Sequence, residues 1–285
     1  VLETARGLNA EKSILVVGHQ AERVKEAFPN WTGTFINQTP QLGTGHALQT
    51  AEKELKMFQG TVLVLSGDVP LIEKGTLRKM LQLHRQSRAA VTLISTEIKD
   101  PHGYGRIVRD PQGVLLKIVE EKDATLQERL IQEINSGFYC FDSEFLFSSL
   151  FGLTKKNRQM EYYLTDLVRV ARGKGLTVST YLHTPAQEVL GINDRTELAR
   201  SAKILRRKIL KELMRQGVSI IDPSSTYIES SVRIGQDTVV YPFTVILGKT
   251  RIGAWCRISS HVVIDTATIR DGAVIPPFSW IKQQD

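Results

Sequence analysis

Cysteine is scarce in this sequence, with Cys140 and Cys256 the only two among 285 residues. They lie far apart and form no C-x-x-C spacing, which excludes a disulfide scaffold and a zinc or redox motif. Both read as reduced, buried thiols. Long apolar runs are also missing. No stretch approaches the ~20 residues that span a bilayer, and no basic-then-apolar segment opens the chain as a secretory leader would. These absences predict a cytoplasmic protein without a membrane partner. Aromatic residues are few, 7% of the chain, and none interleave with the basic residues of 194–216 as a nucleic-acid reader requires.

What remains is the make-up of a soluble globular protein, 41% hydrophobic and 24% charged. The length predicts two units rather than one. Net charge is +7, and most of the excess sits between Asp194 and Gln216, where eight Lys and Arg face three Asp and Glu. Without a reader motif this reads as the solvated face of a helix between domains, not a nucleic-acid surface.

Up to about Asn193, short apolar runs alternate with amphipathic stretches. Strands are predicted at 14–18, 34–38, 62–66, 90–96, 115–119, 134–141, 176–182 and 189–192. Helices are predicted at 21–28, 45–58, 73–86 and 162–172. This order implies an α/β domain with a mostly parallel sheet covered on both faces. One uninterrupted helix follows over 194–216, with Leu198, Ala202, Leu205, Ile209 and Leu213 as its apolar stripe and Gly217 as its stop. The period then changes to six. Ile228, Ile234, Val240, Ile246, Ile252, Ile258 and Ile264 recur strictly, and after a one-residue deletion Ile269, Ile275 and Ile281 continue the series. Only a hexapeptide β-helix gives that period, here about three coils. The domains are therefore 1–193, a linker helix 194–217, and a β-helix 218–285.

Several loops carry polar chemistry. Gln38 to Ala47 (Q-T-P-Q-L-G-T-G-H-A) follows a strand and opens a helix, so its glycines and free N–H groups suit a base or phosphate. The plain alternative is a glycine-containing turn, with His46 packed or capping. Ser66-Gly67-Asp68-Val69-Pro70 ends an apolar strand at the edge where open α/β sheets bind ligands. Asp68 there is either a ligand for a hard divalent ion or a cap of the next turn. Gly103 to Ile107 reads as a tight turn, Glu120 to Asp123 as a charged strand end, and Asn135-Ser136-Gly137 as a break in a strand that something approaches closely.

In chain order, Q-L-G-T-G-H-A, G-D-V-P-L, G-Y-G-R-I, I-V-E-E-K-D-A, E-I-N-S-G, E-Y-Y-L-T-D and G-I-N-D-R resemble the bifunctional N-acetylglucosamine-1-phosphate uridyltransferase/glucosamine-1-phosphate acetyltransferase family. The likeness extends from about Val1 to Ile281. It implies a Rossmann-like nucleotidyltransferase domain followed by a short left-handed β-helix. The implied reaction is UTP plus N-acetylglucosamine 1-phosphate giving UDP-N-acetylglucosamine and pyrophosphate, for cell-envelope precursor synthesis. By resemblance, Gln38, Gly43 and Thr44 hold the uracil end, while Gly67 and Asp68 lie by the sugar and phosphates. Gly105, Glu120 and Asn135 contact the N-acetylglucosamine moiety. Asp68 and Asn193 bind Mg2+, with Asp68 as the catalytic ligand, and the β-helix forms a homotrimer. The neighbouring alternatives are another sugar-1-phosphate nucleotidyltransferase, or a non-catalytic binding or assembly subunit. The family's opening loop, L-A-A-G-x-G-T-R-M, has no counterpart here, so the transferase domain is expected to be N-terminally incomplete and its turnover impaired. The later coils that carry acetyl transfer are also absent, and that activity is not expected.

Overall fold

A computed structural model describes residues 1–282 and divides the chain into two compact units, Val1–Gly191 and Ile192–Asp285. In the first unit the elements run α1 (Leu2–Arg6), β1 (Ile14–Val17), α2 (Ala21–Ala27), β2 (Thr34–Asn37), α3 (Thr44–Leu55), β3 (Thr61–Val64), α4 (Lys74–Ser87) and β4 (Val91–Glu97). They continue with β5 (Arg106–Arg109), β6 (Leu115–Val119), β7 (Glu133–Asp142), α5 (Ser143–Ser149), α6 (Asp166–Gly173) and β8 (Val178–Leu182).

The α/β reading holds. β1 and β2 form a parallel pair of their own. The main sheet has the order β6-β5-β7-β4-β8, with β3 also paired to β7. Four of its six strands (β3, β4, β5 and β8) share one direction, but β7 runs against β3, β4 and β5, and β6 against β5. The ladders are therefore mixed, and only β4–β8 is parallel. Alternation along β4 and β7 splits the core between the two faces, as a period of two requires. Leu93, Tyr139 and Phe141 face a cluster with Leu146 and Leu167, whereas Ile94, Phe138 and Cys140 face Leu77 and Met80 of α4.

β7 positions the site. On one edge its C-terminal half pairs with β3 (Val64↔Tyr139) and its N-terminal half with β5 (Arg106↔Ile134). Between these ladders, at residues 136–138, no strand pairs with that edge. Such a split in a sheet creates a crevice for ligands.

Two sequence expectations are corrected. Residues 189–192 form no strand; a short 3-10 turn, Ala186–Glu188, precedes an irregular segment. The 103–107 turn leads directly into β5.

The second unit opens with α7 (Arg195–Arg215), capped by the Asp194 carboxylate, which accepts from Glu197 N. Of its predicted stripe, Leu213 is buried with Leu210, whereas Leu198 and Leu205 are exposed. Only the last turns of α7 join the core of the coils. There follow β9 (Ser219–Ile220), β10 (Tyr227–Ile228), β11 (Arg233–Ile234), β12 (Val239–Val240), β13 (Val245–Leu247), β14 (Arg251–Ile252), β15 (Arg257–Ile258), β16 (Val263–Asp265), β17 (Thr268–Ile269), β18 (Val274–Ile275) and β19 (Trp280–Lys282). They stack into three parallel sheets, β10-β13-β16-β19, β11-β14-β17 and β9-β12-β15-β18. The period-six aliphatics from Ile228 to Ile264 all lie in the core. Two positions before the inward aliphatic stand Thr226, Thr238, Thr244 and Thr250, all fully buried. Their hydroxyls donate to turn carbonyls, for example Thr238 to Gly253 O at 2.8 Å, which leaves no buried hydroxyl unpaired at these corners.

Candidate active site

After β2, the chain turns at Gly43, whose φ of 97° favours glycine. A Cβ there would meet Glu161 Cβ and Tyr162 O, each at 2.8 Å. The two segments are zipped together. Tyr162 N donates to Leu42 O and Gly45 N to Tyr162 O, both at 2.8 Å, and Leu164 N donates to Thr44 Oγ1 at 3.1 Å. The amide of Gly45, at the start of α3, is thus already used. Gln38 Nε2 donates to Gly43 O at 2.9 Å and lies 3.1 Å from His46 Nδ1, while the His46 ring stacks on Tyr162. These contacts fix the Gln38 amide nitrogen, and Oε1 has no partner among the described residues. The structure therefore brings Gln38, Gly43 and Thr44 together on one braced loop, with His46 packed beneath it.

β3 ends at Val64, and Ser66 reaches across the split sheet to donate to Gly137 O at 3.2 Å. Gly137 has φ 79°, and a side chain there would collide with Ser66 Oγ. This explains the break in the strand pattern. Gly67 and Asp68 follow, both exposed. Asp68 makes no hydrogen bond or ion pair among the described residues, so it does not cap the next turn. Nothing lies within 4 Å of a Cβ built at Gly67, whereas one built at Gly191 would stand 3.2 Å from Asp68 Oδ2.

That geometry bears on Mg2+. A free carboxylate beside a cradle that a Cβ would fill suits a hard cation. Among the described residues no group of three His, Cys, Asp or Glu side chains could hold a metal alone. Mg2+ is commonly held by one or two protein oxygens plus substrate phosphates and water, and the donors present fit that mode. Asn193 lies in the second unit, exposed, with its backbone N–H donating to Glu197 Oε2 at 2.6 Å.

Gly105, Glu120 and Asn135 converge beside the unpaired stretch of β7. Asn135 N donates to Gly105 O at 2.9 Å, and a Cβ on Gly105 would lie 3.4 Å from Glu120 Oε2. Glu120 Oε1 accepts from Thr165 Oγ1 at 3.0 Å. Asn135 Nδ2 donates to Tyr139 OH at 2.7 Å. Burial raises the pKa of Glu120, with Asp123, Asp166 and Glu161 adding to the effect. Burial, aided by Glu120, raises that of Tyr139 as well. The neighbouring turn is braced by Arg106, 1% exposed, whose Nη2 donates to Glu121 Oε2 at 2.7 Å and whose Nη1 donates to Tyr104 O.

Sequence reasoning on single residues missed Tyr139, Tyr162 and Thr165, which hold the others in place. The last two lie in the E-Y-Y-L-T-D segment, so the motif was visible although the residues' roles were not.

Comparison with known proteins agrees with this architecture. Residues 2–183 match the nucleotidyl transferase family, and residues 231–266 match the bacterial transferase hexapeptide (six repeats). The bifunctional protein GlmU of Pelobacter propionicus is 48% identical over 285 residues, covering 100% of this chain and 62% of its own. That of Syntrophotalea carbinolica is 45% identical over 272 residues, 95% of this chain and 58% of its own. That of Syntrophomonas wolfei is 40% identical over 300 residues, 100% and 67% respectively. The chain spans about three-fifths of the length of the first of these relatives. Matching the transferase family through the first unit and the repeats through the second, the chain belongs to the nucleotidyl transferase family, in the hexapeptide-bearing group of the bifunctional GlmU proteins.

Proposed function

We propose that this protein transfers a uridylyl group from UTP to N-acetylglucosamine 1-phosphate, giving UDP-N-acetylglucosamine and pyrophosphate. The observation that carries the proposal is that residues 162–165 tie two polar clusters together, Leu164 N donating to Thr44 Oγ1 and Thr165 Oγ1 to Glu120 Oε1. The braced Gln38–Thr44 loop supplies one, and Gly105, Glu120 and Asn135 supply the other, with Asp68 at the neighbouring strand end. Gln38 would offer its unpartnered Oε1 to the N3–H of uracil. Cytosine has no hydrogen there. Thr44 and Gly43 bring the backbone close to the ribose side of the base. Glu120 and Asn135 would hydrogen-bond the sugar hydroxyls and the N-acetyl group.

In this reading a phosphate oxygen of the sugar phosphate attacks the α-phosphorus in line. The bond to the pyrophosphate oxygen breaks as the new one forms, without a covalent enzyme intermediate. The chain's contribution is to hold the two substrates in register. Asp68 would hold Mg2+, which when bound neutralises phosphate charge. The repeats support assembly, and we assign a homotrimer through the β-helix. The described residues include no helix long and apolar enough to cross a membrane, and the cytoplasm is the assigned compartment.

Titration calorimetry with UDP-N-acetylglucosamine, UDP-glucose, CDP-glucose and ADP-glucose, paired with a pyrophosphorolysis assay, tests the assignment. UDP-N-acetylglucosamine should bind at least about tenfold more tightly than the rest, as one or two lost hydrogen bonds would dictate. Tighter binding of another base or sugar would overturn it.

A further inference from the structure

Glu188 lies in the 3-10 turn that follows β8, and neither the motif reading nor the proposed chemistry uses it. Its carboxylate is buried and takes two partners from different parts of the first unit. Glu73 N, at the start of α4, donates to Oε1 at 2.9 Å, and His183 Nε2 lies 3.0 Å from Oε2. His183 is buried too, and its Nδ1 has no partner among the described residues. A buried N–H left unpaired would be costly, which places the ring proton on Nε2, donating to Glu188. The His183 backbone is fixed in turn. Its N–H donates to Ser95 O and its carbonyl accepts from Thr96 Oγ1, both at 2.8 Å. Glu188 is thus held by the end of the sheet and holds the start of α4.

These contacts close a ring through the chain. From Asp68 the backbone runs through Val69, Pro70, Leu71 and Ile72 to Glu73. The Glu73 amide reaches Glu188, and from Glu188 the chain runs through Val189 and Leu190 to Gly191. Gly191 then lies beside the Asp68 carboxylate, where an added Cβ would stand a tight 3.2 Å from Oδ2. Val69, Ile72 and Val189 are buried in one cluster, so both arms of the ring are packed as well as bonded. Buried hydrogen-bonded groups of this kind fix the orientation of the residues they support.

We propose that Glu188 is a positioning residue for Asp68. It sets the distance between the Asp68 loop and the Gly191 segment, and thereby the space in which Asp68 meets a divalent ion and the substrate phosphates. The inference rests on the proposed nucleotidyl transfer, with Asp68 as the metal ligand. It assigns Glu188 and His183 no contact with substrate.

The test measures how far Mn2+ strengthens the binding of UDP-N-acetylglucosamine, by calorimetry with and without the metal. A purely structural residue would weaken both affinities, whereas a positioning residue for Asp68 lowers the metal enhancement alone. Two variants probe the clamp in different ways. Glu188→Asp keeps the charge but is one methylene short of spanning both partners. Glu188→Gln keeps the length but sets its NH2 group against the His183 N–H. In the parent chain Mn2+ should tighten binding about tenfold or more, within the usual range of site–site coupling. Both variants should reduce that enhancement to about threefold or less, while metal-free affinity changes by less than about twofold. Asp68→Ala should abolish the enhancement. Full enhancement in both Glu188 variants, with loss in Asp68→Ala, would overturn the positioning role alone. Full enhancement in Asp68→Ala would overturn Asp68 as the metal ligand, and the reading beneath it.

Discussion

Burial raises the pKa of the Glu120 carboxyl, while the Thr165 hydroxyl pulls it down and Asp123, Asp166 and Glu161 push it further up. A carboxyl whose folded value exceeds its unfolded value binds its proton more tightly in the folded protein. Its contribution to stability is therefore complete below the ordinary carboxylate value near 4.5 and is lost as pH rises through the raised value. The protein keeps a charge-averse carboxylate where a sugar would need an acceptor. Glu120→Gln removes the titration and nearly preserves the shape. Its Tm should exceed that of the parent by a margin that widens as pH rises from about 4.5 to about 8. The same change should weaken N-acetylglucosamine 1-phosphate by about 1–3 kcal/mol and leave UTP unchanged. Melting curves across that pH range and two calorimetric titrations decide the matter. A Tm difference that narrows with pH, or equal weakening of both substrates, would remove Glu120 from the sugar site.

Single elements show how far pattern reaches and where it stops. The coils were legible because one inward aliphatic per face is a strict demand, and Ile228 to Ile264 meet it without exception. β5 was not. It opens with Arg106, a charge that reads as surface until the pairing of β5 with β6 brings Glu121 beside it. The apolar run 189–192 failed in the opposite direction. Val189 is buried, but Gly191 is committed to the Asp68 carboxylate and no neighbouring strand pairs with the segment. At the candidate site, Gln38, Asp68, Glu120 and Asn135 are the residues to which the motifs point. Of their partners, Tyr139 lies four residues from Asn135 along β7, whereas Thr165 and Glu188 act through tertiary contacts that no spacing encodes. The corner threonines extend the lesson to stability. Thr244 is fully buried, and its hydroxyl donates to Tyr241 O at 2.8 Å and lies 3.2 Å from Ser259 O. Thr244→Val keeps the volume but leaves those carbonyls short of a donor, so urea unfolding of the coils should lose about 1–3 kcal/mol. An unchanged midpoint would show that the corner is held by shape alone.

For the whole molecule, the question is what the coils are for in a chain whose transfer chemistry is placed in the other unit. Face β10-β13-β16-β19 turns Tyr227, Val245, Val263 and Trp280 outward, in register with one another. Beside it the rings of Phe243, His261 and Phe278 stack with centroids 4.8 and 5.0 Å apart. Phe243 and Trp280 are 57% and 78% exposed. Apolar groups scattered singly need no explanation, but a contiguous strip of them marks an interaction surface. The corresponding face of β11-β14-β17 carries Arg233, Arg251 and Thr268 instead. On the third face, β9-β12-β15-β18, the outward positions hold Ser219, Val239, Arg257 and Val274. A strip without a charged residue thus occurs on one face, and in a closed threefold ring it would supply one of the two different patches that meet at each contact. We therefore expect three chains per particle, with Val245 and Val263 at the contact. Replacing both with Lys places charge on the strip without touching an inward residue. Light scattering over a concentration series should give the mass of three chains for the parent and of one for the double variant, with the circular dichroism of the two alike. Because subunit binding also stabilises the fold by mass action, the parent's Tm should rise with concentration and the variant's should not. A parent that stays monomeric at every concentration, or a double variant that remains trimeric, would refute the assembly through this face.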